Sequence, residues 1–174
     1  MIRDATEADL PAILAIYNDV LANSTAIFSE TPTTLEDRRQ WFRARRDAGY
    51  PVLVATDDSG VLGFATFGDF RTWPGYRHTV EHTVHVRADA RGRGVGRGLV
   101  TVLLERAGGL GKHVMVAGVD ADNLTSIRLH ERLGFQRAGT LHQVGCKFGR
   151  WLDLTFLERR LDERLEPGPA RLTS

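Results

Sequence analysis

Arg91-Gly92-Arg93-Gly94-Val95-Gly96-Arg97-Gly98 decides the reading of this chain. An apolar run, Thr83-Val84-His85-Val86, leads into it, and Leu99, Val100, Val102, Leu103, Leu104 and Ala107 follow at helical spacing. The order is therefore strand, glycine loop, helix. Glycines let the backbone turn with its N–H groups facing inward, and a helix start adds unpaired N–H donors and the positive end of a dipole. Arginines supply full charge and forked donors for phosphate oxygens. A pyrophosphate is the natural guest.

Spacing narrows which phosphate ligand is meant. A Walker loop is excluded because no Lys-Ser or Lys-Thr pair occurs in the chain. The dinucleotide fingerprint Gly-x-Gly-x-x-Gly fails because Arg97 or Leu99 stands at the third glycine. Arg/Gln-x-x-Gly-x-Gly/Ala fits, as Arg91-Gly92-Arg93-Gly94-Val95-Gly96. That pattern resembles the acetyl-CoA pyrophosphate loop of the GNAT N-acetyltransferase superfamily. The competing reading is a mobile Arg-Gly surface turn that touches RNA.

Composition bounds the rest. A chain of 174 residues suggests one domain with a real core. Net charge is +1, so no global field points to nucleic acid. The single cysteine, Cys146, cannot form an internal disulfide or anchor a metal cluster, so no metal is expected and a reducing cytoplasm is the simplest compartment. No signal-peptide core and no run of membrane-spanning length is read.

Read in order, Ile2 to Ala5 is a first strand, and Thr6 with Asp9 resembles a capping box opening a helix through Leu21. Ala26 to Pro32 is a loop carrying the aromatic Phe28. Thr34 with Asp37 opens a second helix that runs to about Asp47. Pro51–Ala55 and Val61–Phe67 form a hairpin, and the Gly68–His78 loop holds Trp73 and two arginines. Thr79–Val86 is the strand entering the glycine loop. A strand over His113–Val119, a short helix over Ser126–Leu133 and a strand from Phe135 to about Leu141 follow. Gln143–Gly149 reads as a connector and Arg150–Leu157 as the last strand. The expected organisation is a single domain over residues 1–161 with a disordered tail over 162–174. The order β-α-α-β-β-β-α-β-α-β-β is mixed α/β with a central, mostly antiparallel, twisted sheet flanked by helices.

A second anchor strengthens the resemblance. Superfamily members often read Asn-x-x-Ala-x-x-x-Tyr-x-x-x-Gly-Phe after the fifth strand. Here Asn123 and Gly134-Phe135 match, Ser126 replaces the alanine and His130 replaces the tyrosine. Val80–Val86, Arg128–Glu131, Lys147–Asp153, Ala26–Pro32 and the Trp73 loop together resemble the phosphinothricin and methionine sulfoximine N-acetyltransferases, over about residues 1–160. The resemblance implies acetyl-CoA as co-substrate, a small amino-acid-like amine as acceptor, and a homodimer. It also implies cofactor contact by Val84, His85, Val86, Gly92, Arg93, Gly94, Val95, Gly96, Arg97 and Asn123. Arg71, Thr72, Trp73, Glu81, His82, Thr83 and Phe28 are the expected acceptor walls.

The chemistry can be reasoned without the name. An α-ammonium group must lose a proton before it attacks a thioester, and a partly buried carboxylate with a raised pKa suits that task. Glu81, between Val80 and the approach to the loop, is the candidate base. His130 stands where the resemblance places the tyrosine that protonates the departing thiolate, and histidine, which titrates near neutrality, suits that role. Backbone amides freed by a bulge or splay near Val84–Val86 can hold an oxyanion. Three readings stay open beside the leading one: another amine acceptor (aminoglycoside, polyamine or protein N-terminus), a catalytically silent acetyl-CoA-binding module, and the RNA contact.

Overall fold

The two helices at the start are anchored by paired carboxylates. Asp9 accepts from the Thr6 backbone N–H at 2.8 Å and from the Thr6 hydroxyl at 3.0 Å, and Arg3 grips it with two N–H donors at 2.8 Å each. These bonds hold the buried Asp9 carboxyl down at about 2. The second helix starts on a full capping box, Thr34 with Asp37.

In the computed structural model, which describes residues 1–168, the elements follow the order expected from the sequence. β1 (Ile2–Asp4) precedes α1 (Leu10–Asn23) and α2 (Leu35–Asp47). β2 (Val52–Asp57), β3 (Gly60–Asp69) and β4 (Thr79–Val86) come next, then α3 (Val95–Gly109) and β5 (Val114–Asp120). α4 (Leu124–Arg132), β6 (Gln136–Lys147) and β7 (Arg150–Arg160) complete the chain. The sheet order is β1-β2-β3-β4-β5-β7-β6, and only the β4–β5 pair is parallel. This is the mixed α/β fold with a mostly antiparallel sheet that was expected.

Helices cover both faces, which is why β2 is apolar without alternation. Val52 and Val54 meet Leu10, Ile13, Ile16 and Val20 of α1 and Phe42 of α2. Leu53 and Ala55 belong to the opposite layer, with Leu99, Val100, Leu103 and Leu104 of α3 and Ile127 of α4. Each buried Leu or Ile contributes about 1.5–3 kcal/mol, so the two layers fix the sheet against both helix pairs.

Several boundaries differ from the reading of the sequence, three of them by more than a few residues or at the site itself. α3 begins at Val95, inside the glycine stretch, so Gly96 and Gly98 are helical and only Gly92 and Gly94 take positive φ, 74° and 81°. β6 does not stop near Leu141 but runs to Lys147, with a register shift between Leu141 and Gly145. The bulge survives because Gln143, at φ 54°, donates its N–H to Asp153 at 2.7 Å while His142 bonds the same carboxylate at 2.9 Å. The supposed connector is therefore strand, and the real turn is only Phe148-Gly149. The tail, expected loose from Asp162, is tied at its start: Asp162 meets His113 at 2.7 Å and Arg164 donates to the Gly111 carbonyl at 2.7 Å. The rest of that expected tail, from residue 169, lies outside the described residues.

Candidate active site

The site exists because one ladder is short. β4 stays paired with β3 as far as Val86, but its pairing with β5 covers only Thr79–Val114, Val80–Met115 and Glu81–Val116. Past Glu81 the two parallel strands diverge, and the β4 amides on that side face a cleft. The cleft holds about 300 Å³ and is lined by Glu81, His82, Thr83, Val84 and His85 of β4 and by Ala117, Gly118, Val119 and Asp120 of β5. Tyr17, Ala26 and Ile27 close one side, and Asn123, Ser126 and His130 the other. A larger hollow of about 440 Å³ between α2 and α3 is bordered by Asp4, Arg46, Tyr50 and Arg106. It holds none of the residues singled out from the sequence, and the Asp4–Arg106 ion pair sits on its border.

Glu81 is half-buried where the ladder ends, and burial raises its pKa while the positive charge of Arg71 pulls it back. Its carboxylate lies over Gly118: a Cβ added there would stand 2.9 Å from Oε1. A glycine in the middle of β5 is thus the seat of the carboxylate, a role no sequence signal announced. Arg71 itself lies on an exposed loop, stacks 4.1 Å over the Phe70 ring and donates to the Phe70 carbonyl at 2.7 Å. Thr72 and Trp73 are also exposed, Trp73 at 74 %, and neither lines the cleft. Phe28 does not line it either; its ring lies against Gly145 of β6, and its neighbours Ala26 and Ile27 form the wall.

The histidines are paired. His130 Nδ1 donates to the Ser126 carbonyl at 2.7 Å, so its Nε2 is left to accept, and His82 Nε2 lies 3.0 Å from it. His82 must then donate through Nε2, which leaves its buried Nδ1 without a partner among the described residues. Burial lowers both pKa values, that of His82 to about 3, so the pair is neutral. This pairing bears on the expectation that His130 directly protonates a thiolate. Both its ring nitrogens are engaged, and a proton leaving it would have to be replaced through His82. His85 turns the other way, edge-on to Tyr17 with centroids 6.0 Å apart and 5.5 Å from Phe64, and burial lowers its pKa to about 4. In the β3 register set by the Arg87 N–H to Leu62 carbonyl bond, the His85 backbone pairs with Phe64, so the free amides on the cleft side are those of Val84 and Val86.

At the far end of β4 stands the glycine loop. Gly94 is the N-cap of α3 and brings no capping side chain, so the first-turn N–H groups lack an acceptor from that position. Gly92 and Gly94 face open space where a Cβ would be. Arg97 is exposed and has no ion-pair partner among the described residues, whereas Arg93 is bonded to Asp57 at 3.2 Å and Arg91 to the Val86 carbonyl at 3.3 Å. Val95 and Val86 are partly buried beside the core, and Gly96 leaves room between Val86 and Leu129. Asn123 caps α4 by accepting from Ser126 N–H at 3.1 Å and also lines the cleft. Uncapped amides, glycine clearance and a cation at one end, with a run of strand amides leading away from them, fit a pyrophosphate with a long amide-bearing arm. Among the described residues no group of three His, Cys, Asp or Glu side chains is arranged to hold a metal ion.

Comparison with known proteins agrees with that geometry. Residues 13–135 match the acetyltransferase (GNAT) family. An L-methionine sulfoximine/L-methionine sulfone acetyltransferase of Pseudomonas paraeruginosa is 57 % identical over 162 residues, which is 92 % of this chain and 94 % of that one. An acetyltransferase of Salmonella typhimurium, solved with its cofactor acetyl-CoA, superposes with a TM-score of 0.95 at 46 % identity, covering 98 % of both chains. A phosphinothricin acetyltransferase from Sinorhizobium meliloti, solved in complex with acetyl-CoA, gives a TM-score of 0.94 at 36 % identity over 99 % of this chain and 94 % of that one. With the family's fold, its loop and its divergent strands all present, the chain belongs to the GNAT acetyltransferase family and is an acetyl-CoA-dependent N-acetyltransferase.

Proposed function

We propose that this enzyme acetylates the α-amine of small amino-acid-like acceptors, with L-methionine sulfoximine, methionine sulfone and phosphinothricin as the substrates, and so detoxifies them. The observation that carries the reading is Glu81: a half-buried carboxylate with a raised pKa, seated over Gly118 at the point where the cleft opens. Acetyl-CoA supplies an activated acetyl group when bound. The chain's own part is to take a proton and to hold the reactants. Glu81 accepts the proton of the acceptor ammonium, directly or through one water. The positive charge of Arg71 beside it suits the acceptor carboxylate. Thr83 and the wall at Ala26 and Ile27 bound a small side chain. The names of the relatives support the acceptor class.

The amides of Val84 and Val86 hold the arm, and Gly92 to Arg97 hold the pyrophosphate. A single domain over residues 1–161 carries the activity. The enzyme works in the cytoplasm, where acetyl-CoA is available. It works as a homodimer, a reading supported by exposed apolar side chains on the last hairpin: Leu141, Val144, Phe148 and Trp151 are 48–68 % exposed.

An acceptor screen that follows free thiol released from acetyl-CoA tests the reading. Methionine sulfoximine and methionine sulfone are expected to release thiol at rates well above aminoglycosides, polyamines and peptide N-termini. Release with one of those amines alone would move the acceptor class. Acetyl-CoA binding without thiol release from any amine would make the protein a silent binding module.

A further inference from the structure

The β6 bulge turns one end of the outer strand onto the cleft wall. Gly145 and Lys147 are two residues apart and so face the same side of β6. That side meets the segment between α1 and α2. Lys147 is 1 % exposed, yet no carboxylate bonds its ammonium group. It donates instead to three carbonyls: Leu21 at 2.5 Å, Ser24 at 2.7 Å and Ile27 at 2.9 Å.

All three donors of an ammonium group are thereby used, so Lys147 has none left for an acceptor carboxylate. The burial has an electrostatic reason. Leu21 belongs to the last turn of α1, where carbonyls lack helical partners and the dipole is negative. Lys147 closes that helix end from another strand and pulls the following loop onto the same charge. Gly145 completes the seat: a Cβ there would overlap the Phe28 ring. On the other side Thr25 donates its hydroxyl to Asp120, the last residue of β5. The residues so fixed, Ala26 and Ile27, are those that line the cleft.

We propose that Lys147 and Gly145 are positioning residues for the acceptor: together they set how deep the Ala26–Ile27 wall sits, Gly145 acting through Phe28, and with it the size of side chain the site admits. The proposal rests on the acceptor reading above. It concerns residues outside the cleft lining that act through the wall.

Lys147→Met keeps length and apolar stem but removes the three donors. Gly145→Ala leaves the clamp and displaces Phe28. Both are expected to raise the KM for methionine sulfoximine by about tenfold, corresponding to about 1.4 kcal/mol, while kcat and the KM for acetyl-CoA stay within about twofold. Adding Phe28→Ala to Gly145→Ala should recover most of the loss, because the overlap is gone, and should also widen acceptance to bulkier amino acids. Hydrogen exchange over residues 24–30 reads the clamp with no acceptor present and is expected to rise in Lys147→Met while α3 stays protected. If Lys147→Met does not fold, Gly145→Ala and its double variant decide. Unchanged exchange in a folded Lys147→Met overturns the clamp. Equal losses for acetyl-CoA and acceptor, or no recovery in the double variant, overturn the role in selectivity. A wild-type enzyme that turns over no amino-acid analogue defeats the acceptor reading and leaves the exchange result standing by itself.

Discussion

Glu81 and Gly118 occupy one volume between them: the carboxylate of the first fills the space that any side chain at the second would take. A base must approach an amine from a fixed direction, and here the direction is fixed by an absence on the neighbouring strand. Gly118→Val should displace Glu81 and lower turnover without unfolding the sheet, since Val suits a strand. Glu81→Gln keeps the shape but cannot take the proton, and a loss of roughly 10²–10⁴ in kcat is expected. Steady-state rates for both variants check this. A rise in acceptor KM with kcat spared would make Glu81 an ammonium-binding group.

The pH profile carries a sign that can be tested. Burial lifts the Glu81 pKa above its ordinary 4.5, and Arg71 opposes the lift. Activity should therefore fall as pH drops through a value above 4.5. Arg71→Met removes the opposing charge, so the acid limb of kcat/KM should move to higher pH. A limb that stays where it was would separate Arg71 from Glu81.

His130→Phe should act mainly on stability. It deprives the buried His82 Nε2–H of its acceptor, which costs about 1–3 kcal/mol. Turnover is expected to stay within about tenfold, since no free N–H of His130 faces the cleft and the loss is not that of a general acid. Urea unfolding and steady-state kinetics on the same preparation decide the matter. A large loss of kcat with stability intact would return His130 to the mechanism.

The glycine loop makes a steric claim. Gly94 caps α3 at φ 81°, a conformation that valine does not adopt without strain. Gly96 is helical, with neighbours at 3.5 and 3.6 Å from an added Cβ, so alanine fits there without strain. Gly94→Val should weaken acetyl-CoA binding by more than tenfold, or about 1.4 kcal/mol, and Gly96→Ala by less. Calorimetric titration of the folded variants gives the ranking, and the reverse order would contradict the loop geometry.

Asp9 ties stability to acid. Its folded pKa is depressed from 3.8 to about 2, so its contribution is complete above 3.8 and is lost as pH falls toward 2. Solvent around Arg3, whose side chain is 40 % exposed, screens the pair and brings the contribution to about 1–2 kcal/mol. Asp9→Asn should lose that amount at pH 7 and show a flatter stability curve between those two values. Denaturant unfolding across that range measures it.

The central unit was legible because its signals are local. Strand β4, the glycine turn and the Asn123 cap each declare themselves within a few residues, and periodicity separates the helices from the strands. What stayed hidden depends on distant partners. Gly145 and Gln143 resemble loop residues until Asp153, on the next strand, is seen to staple the bulge. Lys147 gave no sign of burial, because its partners are backbone carbonyls that any sequence would present. Gly118 reads as a weak point in a strand, and only the Glu81 carboxylate lying over it gives it a purpose. Phe28 stood out as an aromatic in a loop, but the face it would meet was not written beside it.

The brevity of the β4–β5 ladder reaches beyond the reaction. It joins a four-stranded half, β1 to β4, to a three-stranded half, β5 to β7, by three paired positions and the helices that cross behind them. A ligand arm that pairs with the free amides of β4 is then a temporary extra strand along the seam, laid beside a core that the two halves already share. Saturation at 100 times Kd adds about 2.7 kcal/mol to the folded state by mass action alone. The supply of acetyl-CoA thus governs how long each molecule endures as well as how fast it works.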